Sequence, residues 1–551
     1  MKRHNKLFAL LAIAAFALPG CNDLDLNESQ YHTKLFQFGN FSEVKDVMTN
    51  VYGYMQSGFL SFQECATDDA VYANSPDIVL PYYDGSWSEN NVVDDKWNYY
   101  YEAIRAANYL IENCPEDFPD AKWDERYKDY LGQLQNYPWE AKALRAFFHM
   151  ELLKRYNNII KADRTFSPEE VNDLVPSTNA EMVAWIVSEL DECIAHLPST
   201  YSDSYYAEIG RVTKGFAMAA KARVLLYAAS PLSNPSQDKD KYLKAAAAAA
   251  QFINSSSEKA VYSLMKQNFN AAEAKDLIFG IREKSANNYE VNNFPAGYEG
   301  GLSGICPSLN LVEAFDLADG TPFDEMAHMS KLLDPSSRDP RFARAIISNG
   351  DTFKGQTVET FEGGRNGSPV ENASPTSFYL RKFVQEATSL TAGNVTSYPH
   401  IYPVFRVEEV YLNYAEALFE ATGNSEYTGT QGGVNYSLSP RAALNKIRAI
   451  YSLPDIPSGL SADKFRARLR NERRVELCFE GHRMWDLRRW KIGAETVNIY
   501  GLSLVKNADE SVSLSKKTVQ TRYWDDKMLW YPISAVELHK NPNLNQNPNW
   551  N

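Results

Sequence analysis

Arg470-Asn471-Glu472-Arg473-Arg474-Val475-Glu476-Leu477-Cys478-Phe479-Glu480-Gly481-His482-Arg483, continued by Met484-Trp485-Asp486-Leu487-Arg488-Arg489-Trp490, is the stretch on which the fold turns. Glu472, Arg473, Arg474 and Glu476 fall at helical spacings among Val475, Leu477 and Phe479, and Arg470 and Arg474 stand one turn apart. Charges interleaved with apolar side chains read as a helix held against its neighbours by ion pairs. The glutamates are therefore read as part of a structural network, since nothing in the sequence places them in a pocket. His482, alone after Gly481, reads as a packing residue rather than a ligand.

A helix of this kind needs helical neighbours, and the chain supplies them. Within 140–155, Leu144, Phe147, Phe148 and Leu152 share one face; within 212–229 the stripe is Phe216, Ala219, Ala220, Val224 and Tyr227; within 407–420 it is Tyr411, Tyr414, Ala415 and Leu418. Further helical stretches are 97–113, 181–196, 241–253, 440–450 and 463–480. The alanine run 245–250 favours a helix and lets a neighbour approach closely. Small residues recurring in the stripes of antiparallel pairs predict an all-α scaffold with tetratricopeptide-like stacking. Between the helices lie loop-rich insertions at 61–95, 287–304 and 349–397, dense in Asn, Gly, Asp, Ser and aromatics. Loops of that length in a compact protein are usually functional.

The N-terminus carries an address. Residues 1–6 are basic, 7–18 form an apolar run too short to span a bilayer comfortably, and Ala17-Leu18-Pro19-Gly20-Cys21 resembles a bacterial lipobox, with Pro19 an unusual neighbour for the cleavage site. Residues 1–20 are read as a lipoprotein signal peptide, with Cys21 lipidated by acyl chains such as palmitate. Residues 21–37, polar and acidic, are read as a flexible tether, and 38–551 as one globular domain. A formal net charge of -14 argues against nucleic acid as a partner, because phosphates would be repelled. Cys65, Cys114, Cys193, Cys306 and Cys478 have no C-x-x-C spacing and read as buried free thiols. No cofactor is expected, and no spaced oxygen-ligand motif marks a metal.

Three stretches together carry a resemblance: the opening motif, Tyr402-Pro403-Val404-Phe405-Arg406-Val407-Glu408-Glu409-Val410-Tyr411-Leu412-Asn413-Tyr414-Ala415-Glu416-Ala417, and a tail of Tyr531-Pro532-Ile533 with Asn541-Pro542-Asn543-Leu544-Asn545-Gln546-Asn547-Pro548. The sequence resembles the SusD/RagB family of outer-membrane nutrient-uptake lipoproteins. Arg211-Val212-Thr213-Lys214-Gly215 and Ala143-Leu144-Arg145-Ala146-Phe147 match that family's earlier helices. The resemblance implies an N-terminal part at about 38–230 and a C-terminal part at about 260–551. It also implies a cell-surface protein, not an enzyme, that captures oligosaccharides and passes them to a partner SusC-like TonB-dependent transporter, which it covers as a lid.

Glycan capture has physical requirements that single out residues. A sugar's C–H face packs on an aromatic plane, and its hydroxyl edge needs planar partners such as Asp, Asn or Arg. Asp68, Asp69, Asn74, Tyr82, Tyr83 and Trp87 supply both within one loop. Trp87 lies in Asp84-Gly85-Ser86-Trp87-Ser88, whose small polar flanks point away from a core role. Trp97 opens an amphipathic helix and is read as core. Tyr289, Phe294 and Tyr298 mark a second aromatic loop, and Arg381 is a candidate bidentate donor. Of these, Asp68, Asp69, Asn74, Tyr82, Tyr83, Trp87, Tyr289, Tyr298 and Arg381 are the candidate contacts. A surface glycoside hydrolase would need two carboxylates about 5 to 10 Å apart across the bond. The 70 acidic residues admit such a pair, but no H-E-x-x-H, G-x-S-x-G or P-loop lysine accompanies it. A structural lid without ligand affinity, or capture of peptides, is also compatible with the same scaffold.

Overall fold

The structure, a computed structural model, describes residues 34–201, 209–271 and 273–550. The lipidation reading at Cys21 lies outside the described residues. The longer helices are α1 (Phe41–Gly53), α2 (Trp97–Asn113), α3 (Tyr127–Tyr156), α4 (Asn179–His196), α5 (Lys214–Ala229), α6 (Lys239–Asn254), α7 (Val407–Thr422), α8 (Pro440–Ile450), α9 (Ala462–Glu476) and α10 (Arg483–Arg489). Their starts follow local chemistry. The Asn40 side chain accepts the Ser42 and Glu43 backbone N–H groups at the head of α1, and Thr178 with Glu181 closes a capping box on α4. Pro138 sits inside α3. It frees the Leu134 carbonyl, which the Cys114 thiol approaches at 3.9 Å.

The helices pack in sequence: α2 on α3, α3 on α4, α4 on α5, α5 on α6, α6 on α7, and α7 on α8 and α9. The alanine run does what its size allows. Ala245, Ala246, Ala248, Ala249 and Ala250 are buried where α6 lies between α5 and α7. One hydrophobic core runs from Val44 to Trp550 and includes Trp97, so the reading of that tryptophan as core holds.

The scaffold is mainly helical, and short strands are added to the all-α expectation. β1 (Ala70–Tyr72) pairs with β3 (Ile305–Pro307), β2 (Leu277–Arg282) with β8 (Ile401–Arg406), β4 (Ile346–Ile347) with β7 (Tyr379–Leu380), and β5 (Thr352–Phe353) with β6 (Gln356–Thr357). β9 (Gly429–Gln431) pairs with β10 (Val434–Tyr436), and β11 (Asn498–Lys506) with β12 (Val512–Thr521). Every pair is antiparallel and two-stranded. Most strands are too short for period-two alternation to show in the sequence. Three of these pairs organise the loops. Val71, Phe294, Cys306, Ile347, Phe353, Val358 and Tyr379 form a second, smaller core beneath 294–307 and 346–384.

Candidate functional site

α9 ends at Glu476 because the chain turns sharply after it: Phe479 and Gly481 both take left-handed backbone conformations, φ 60° and 76°. A side chain at Gly481 would also place its Cβ 2.5 Å from the Tyr402 hydroxyl. Most charges of the motif are then spent in ion pairs, within the motif or to other elements. Glu472 binds Arg341 and Arg448, Arg473 binds Asp486, Glu480 binds Lys382 and Arg406, and Arg489 binds Glu416. The structural-network reading is borne out.

That network claims the acid pair expected to edge a sugar. Arg483 holds Asp68 through two contacts of 2.8 Å, and Arg474 reaches Asp68 at 2.9 Å and Asp69 at 2.6 Å. Burial by itself would raise the Asp68 carboxyl; the Arg474 and Arg483 guanidiniums outweigh it and hold the group below its ordinary range. Asp68 and Asp69 are buried anchors that tie the first loop to α9 and α10, and they present no hydroxyl-binding edge to solvent.

The aromatic expectations divide. Trp87 is only 1% exposed, packed edge-on against Tyr531 at 4.6 Å and near Trp550 at 5.5 Å. The reading of its flanks is corrected: Ser86 is exposed while the indole turns inward, where the C-terminal tail covers it. Tyr83 is buried, its hydroxyl donating to Asp77 and its ring lying under Arg522 at 4.3 Å. Tyr289 is buried among Phe59 and His400, with its hydroxyl donating to the Lys382 carbonyl at 3.1 Å. Tyr82 is half-buried beside Trp87. These rings anchor the loops from inside.

The residues left facing outward gather on the smaller core. Asn74, Tyr298 and Arg381 are each partly exposed. The β5–β6 hairpin joins two of them: the Tyr298 hydroxyl donates to the Phe353 carbonyl at 2.9 Å, and Arg381 donates to the Thr352 carbonyl at 3.0 Å. Arg381 also pairs with Glu386 at 3.1 Å, and the Arg381 Nε is buried without a hydrogen-bond partner. Arg365 extends over the Tyr298 ring at 5.5 Å and donates to Gln356. Sequence reasoning missed Arg365, because an arginine within a Gly-rich run carries no pattern of its own. Asn74 follows β1, whose partner β3 follows the Tyr298 turn, so the first and second loops meet through that pairing.

A second feature went unseen in the sequence. The motif's Glu480-Gly481-His482 forms part of the wall of a polar cavity of about 170 Å³, with Glu64, Lys154 and Tyr402 also lining it and Gln56 and Ser61 at its exposed rim. The Glu64 carboxyl is pushed up to about 8 by burial and then by Asp69. Burial lowers the Lys154 ammonium to about 8 despite the carboxylate of Glu151 at 2.6 Å. His482 is lowered well below its ordinary value by burial and by the surrounding cations Arg223, Arg473, Arg406 and Lys154. A lone glutamate in a loop gives no sequence signal for such a place; the cavity exists only where α3, α5, β8 and the motif converge.

Comparison with known proteins agrees with this architecture. The family model described as the SusD family matches residues 263–550, more than half of the chain. SusD-like protein P38 of Formosa agariphila is 24% identical over 494 residues, 82% of this chain and 79% of that protein. A crystal structure of a SusD-like protein from Bacteroides fragilis superposes with a TM-score of 0.75 at 25% identity, covering 93% of this chain and 98% of the other. A SusD-like carbohydrate binding protein from the same species superposes with a TM-score of 0.71 at 23% identity, covering 92% and 99%. These relatives are named as SusD-like and carbohydrate-binding proteins, not as enzymes. The helical scaffold, the buried motif network and the match across its C-terminal half lead to one assignment: the chain belongs to the SusD family.

Proposed function

We propose that the protein is a cell-surface glycan-binding lipoprotein, anchored in the outer membrane through Cys21, that delivers oligosaccharides to a SusC-like TonB-dependent transporter. In this reading the successive helix pairs stack in a tetratricopeptide-like manner and residues 38–551 act as one domain. Of the 21–37 tether, Lys34–Gln37 is a helix held to Tyr109 through Gln37 at 2.8 Å, so the segment before Lys34 lets that domain swing as a lid. The observation that carries the capture step is the cluster on the β5–β6 hairpin. There a partly exposed tyrosine ring, Tyr298, stands beside two guanidiniums, Arg365 and Arg381. An aromatic plane next to planar donors meets the two faces of a sugar ring. Asn74, after β1, is the remaining partly exposed candidate contact.

Affinity electrophoresis in gels containing a panel of polysaccharides, with peptides screened by calorimetry, tests the reading. Wild type is expected to be retarded by at least one glycan, and Tyr298→Ala or Arg381→Ala to lose most of that retardation while keeping the wild-type melting temperature. If wild type is retarded by no glycan yet still associates with its transporter, capture fails and a purely structural lid takes its place. Release of reducing sugar from a bound glycan would reinstate a hydrolase.

A further inference from the structure

We infer that the polar cavity behind Glu480-Gly481-His482 is a binding site for a small monovalent anion, a carboxylate or a halide. This site is distinct from the loop surface and independent of the glycan reading. The inference rests on which hydrogen-bonding groups around the cavity are still unspent. Its carboxylates are already covered. Asp94 receives Arg155 at 3.0 Å and Gln63 at 2.7 Å, Glu151 receives Arg155 at 2.9 Å and Lys154 at 2.6 Å, and Glu480 receives Arg406 at 2.8 Å and Lys382 at 2.7 Å.

The unspent groups are donors. Arg473 can only donate, so its 3.4 Å contact makes His482 Nδ1 the acceptor, and the neutral imidazole carries its hydrogen on Nε2. That Nε2 has no protein partner among the described residues. The Tyr402 hydroxyl, adjoining Gly481, likewise has none. Lys154 spends one of its three N–H groups on Glu151 and lays the ammonium over the Trp485 ring at 4.4 Å. Glu64 accepts the Gly481 N–H through Oε1 at 2.7 Å, while its buried Oε2 has no partner. Burial favours the neutral form of this carboxyl, so it adds no charge that would repel an anion. Three donors from three segments, the Lys154 ammonium among them, thus line one cavity that opens at the Gln56 and Ser61 rim. Donors turned to a confined cavity and left without a protein partner are free to converge on an anion, which satisfies several at once. A water occupies about 30 Å³ of liquid volume, so the cavity has ample room for acetate or bromide.

Two measurements decide it. In crystals of the protein grown with sodium bromide, an anomalous peak is expected inside the cavity, within hydrogen-bonding reach of the Tyr402 hydroxyl and the Lys154 ammonium. In solution, the melting temperature of wild type is expected to rise saturably with sodium acetate or bromide. Tyr402→Phe should shift the half-saturating concentration upward about tenfold, the effect of one hydrogen bond to a charged group, and Lys154→Met should abolish saturation. Surface salt effects are common to all three proteins, and each melting curve reports its own folding. Absence of a bromide peak from the cavity, superimposable titrations for the three proteins, or an equal saturable response to glycerol overturns the inference.

Discussion

Trp87 and Glu64 carry the sharpest residue-scale consequences, because burial sets the behaviour of each. Trp87 fills a space bounded by Tyr531 and Trp550, so Trp87→Ala is expected to cost about 3 to 5 kcal/mol by chemical denaturation. Glycan retardation of the fraction still folded should be unchanged. A variant that folds like wild type but loses binding would return Trp87 to the ligand surface. For Glu64, burial keeps the proton up to about 8 in the folded state, against an ordinary value of 4.5. Between those values the folded protein holds a proton that the unfolded chain has released. The associated stability is complete below pH 4.5 and is lost as pH rises through 8, by roughly a few kcal/mol. Glu64→Gln keeps the shape without the proton. Melting curves of the two proteins should therefore agree near pH 4.5, with the variant more stable at pH 8; equal pH slopes would refute the assignment.

At the scale of elements, the sequence read well wherever a helix has one apolar face. The 97–113 and 440–450 stretches match their helices end to end, and 181–196 and 241–253 fall short by two residues or fewer at either end. The 463–480 stretch overran by four residues, because helical spacing continues through Leu477 and Glu480 while Phe479 and Gly481 break the backbone. The ion-pair character of α9 was legible, but its partners were not: Asp68 lies more than four hundred residues away from Arg474 and Arg483. Removing one side of such a buried pair is more damaging than its net worth suggests. Asp68→Ala takes a carboxylate from two guanidiniums, leaving Arg474 with Asp69 and Arg483 with Glu495, and is expected to cost about 3 kcal/mol in equilibrium unfolding. On α6, Ala249 is fully buried in the segment that packs between α5 and α7. Ala249→Leu should destabilise by about 1 to 3 kcal/mol or more through overpacking, again read by denaturant midpoint.

Across the whole molecule, the C-terminal tail closes the first loop. Asn547 donates to the Tyr156 and Tyr531 carbonyls at 3.1 and 2.8 Å, Asn541 donates to the Leu174 carbonyl at 2.8 Å, and Trp550 packs near Trp87. The tail is thus tied down through its amides, and Asn541, Asn547 and Trp550 are buried. If Cys21 only anchors, Cys21→Ala should leave glycan retardation in solution intact while reducing uptake by cells; loss of both would show that anchor and binding domain are not separable. The sequence alone was enough for the helical scaffold, the charged network of 470–490 and the family, since helix period and motif order are properties of neighbours along the chain. Only tertiary structure decided which loop residues face out. It turned Asp68, Asp69, Tyr83, Trp87 and Tyr289 inward, left Asn74, Tyr298 and Arg381 partly exposed, and opened a polar cavity behind Gly481. Polar flanks cannot show a side chain's direction, because partners from distant segments supply the contacts that bury it.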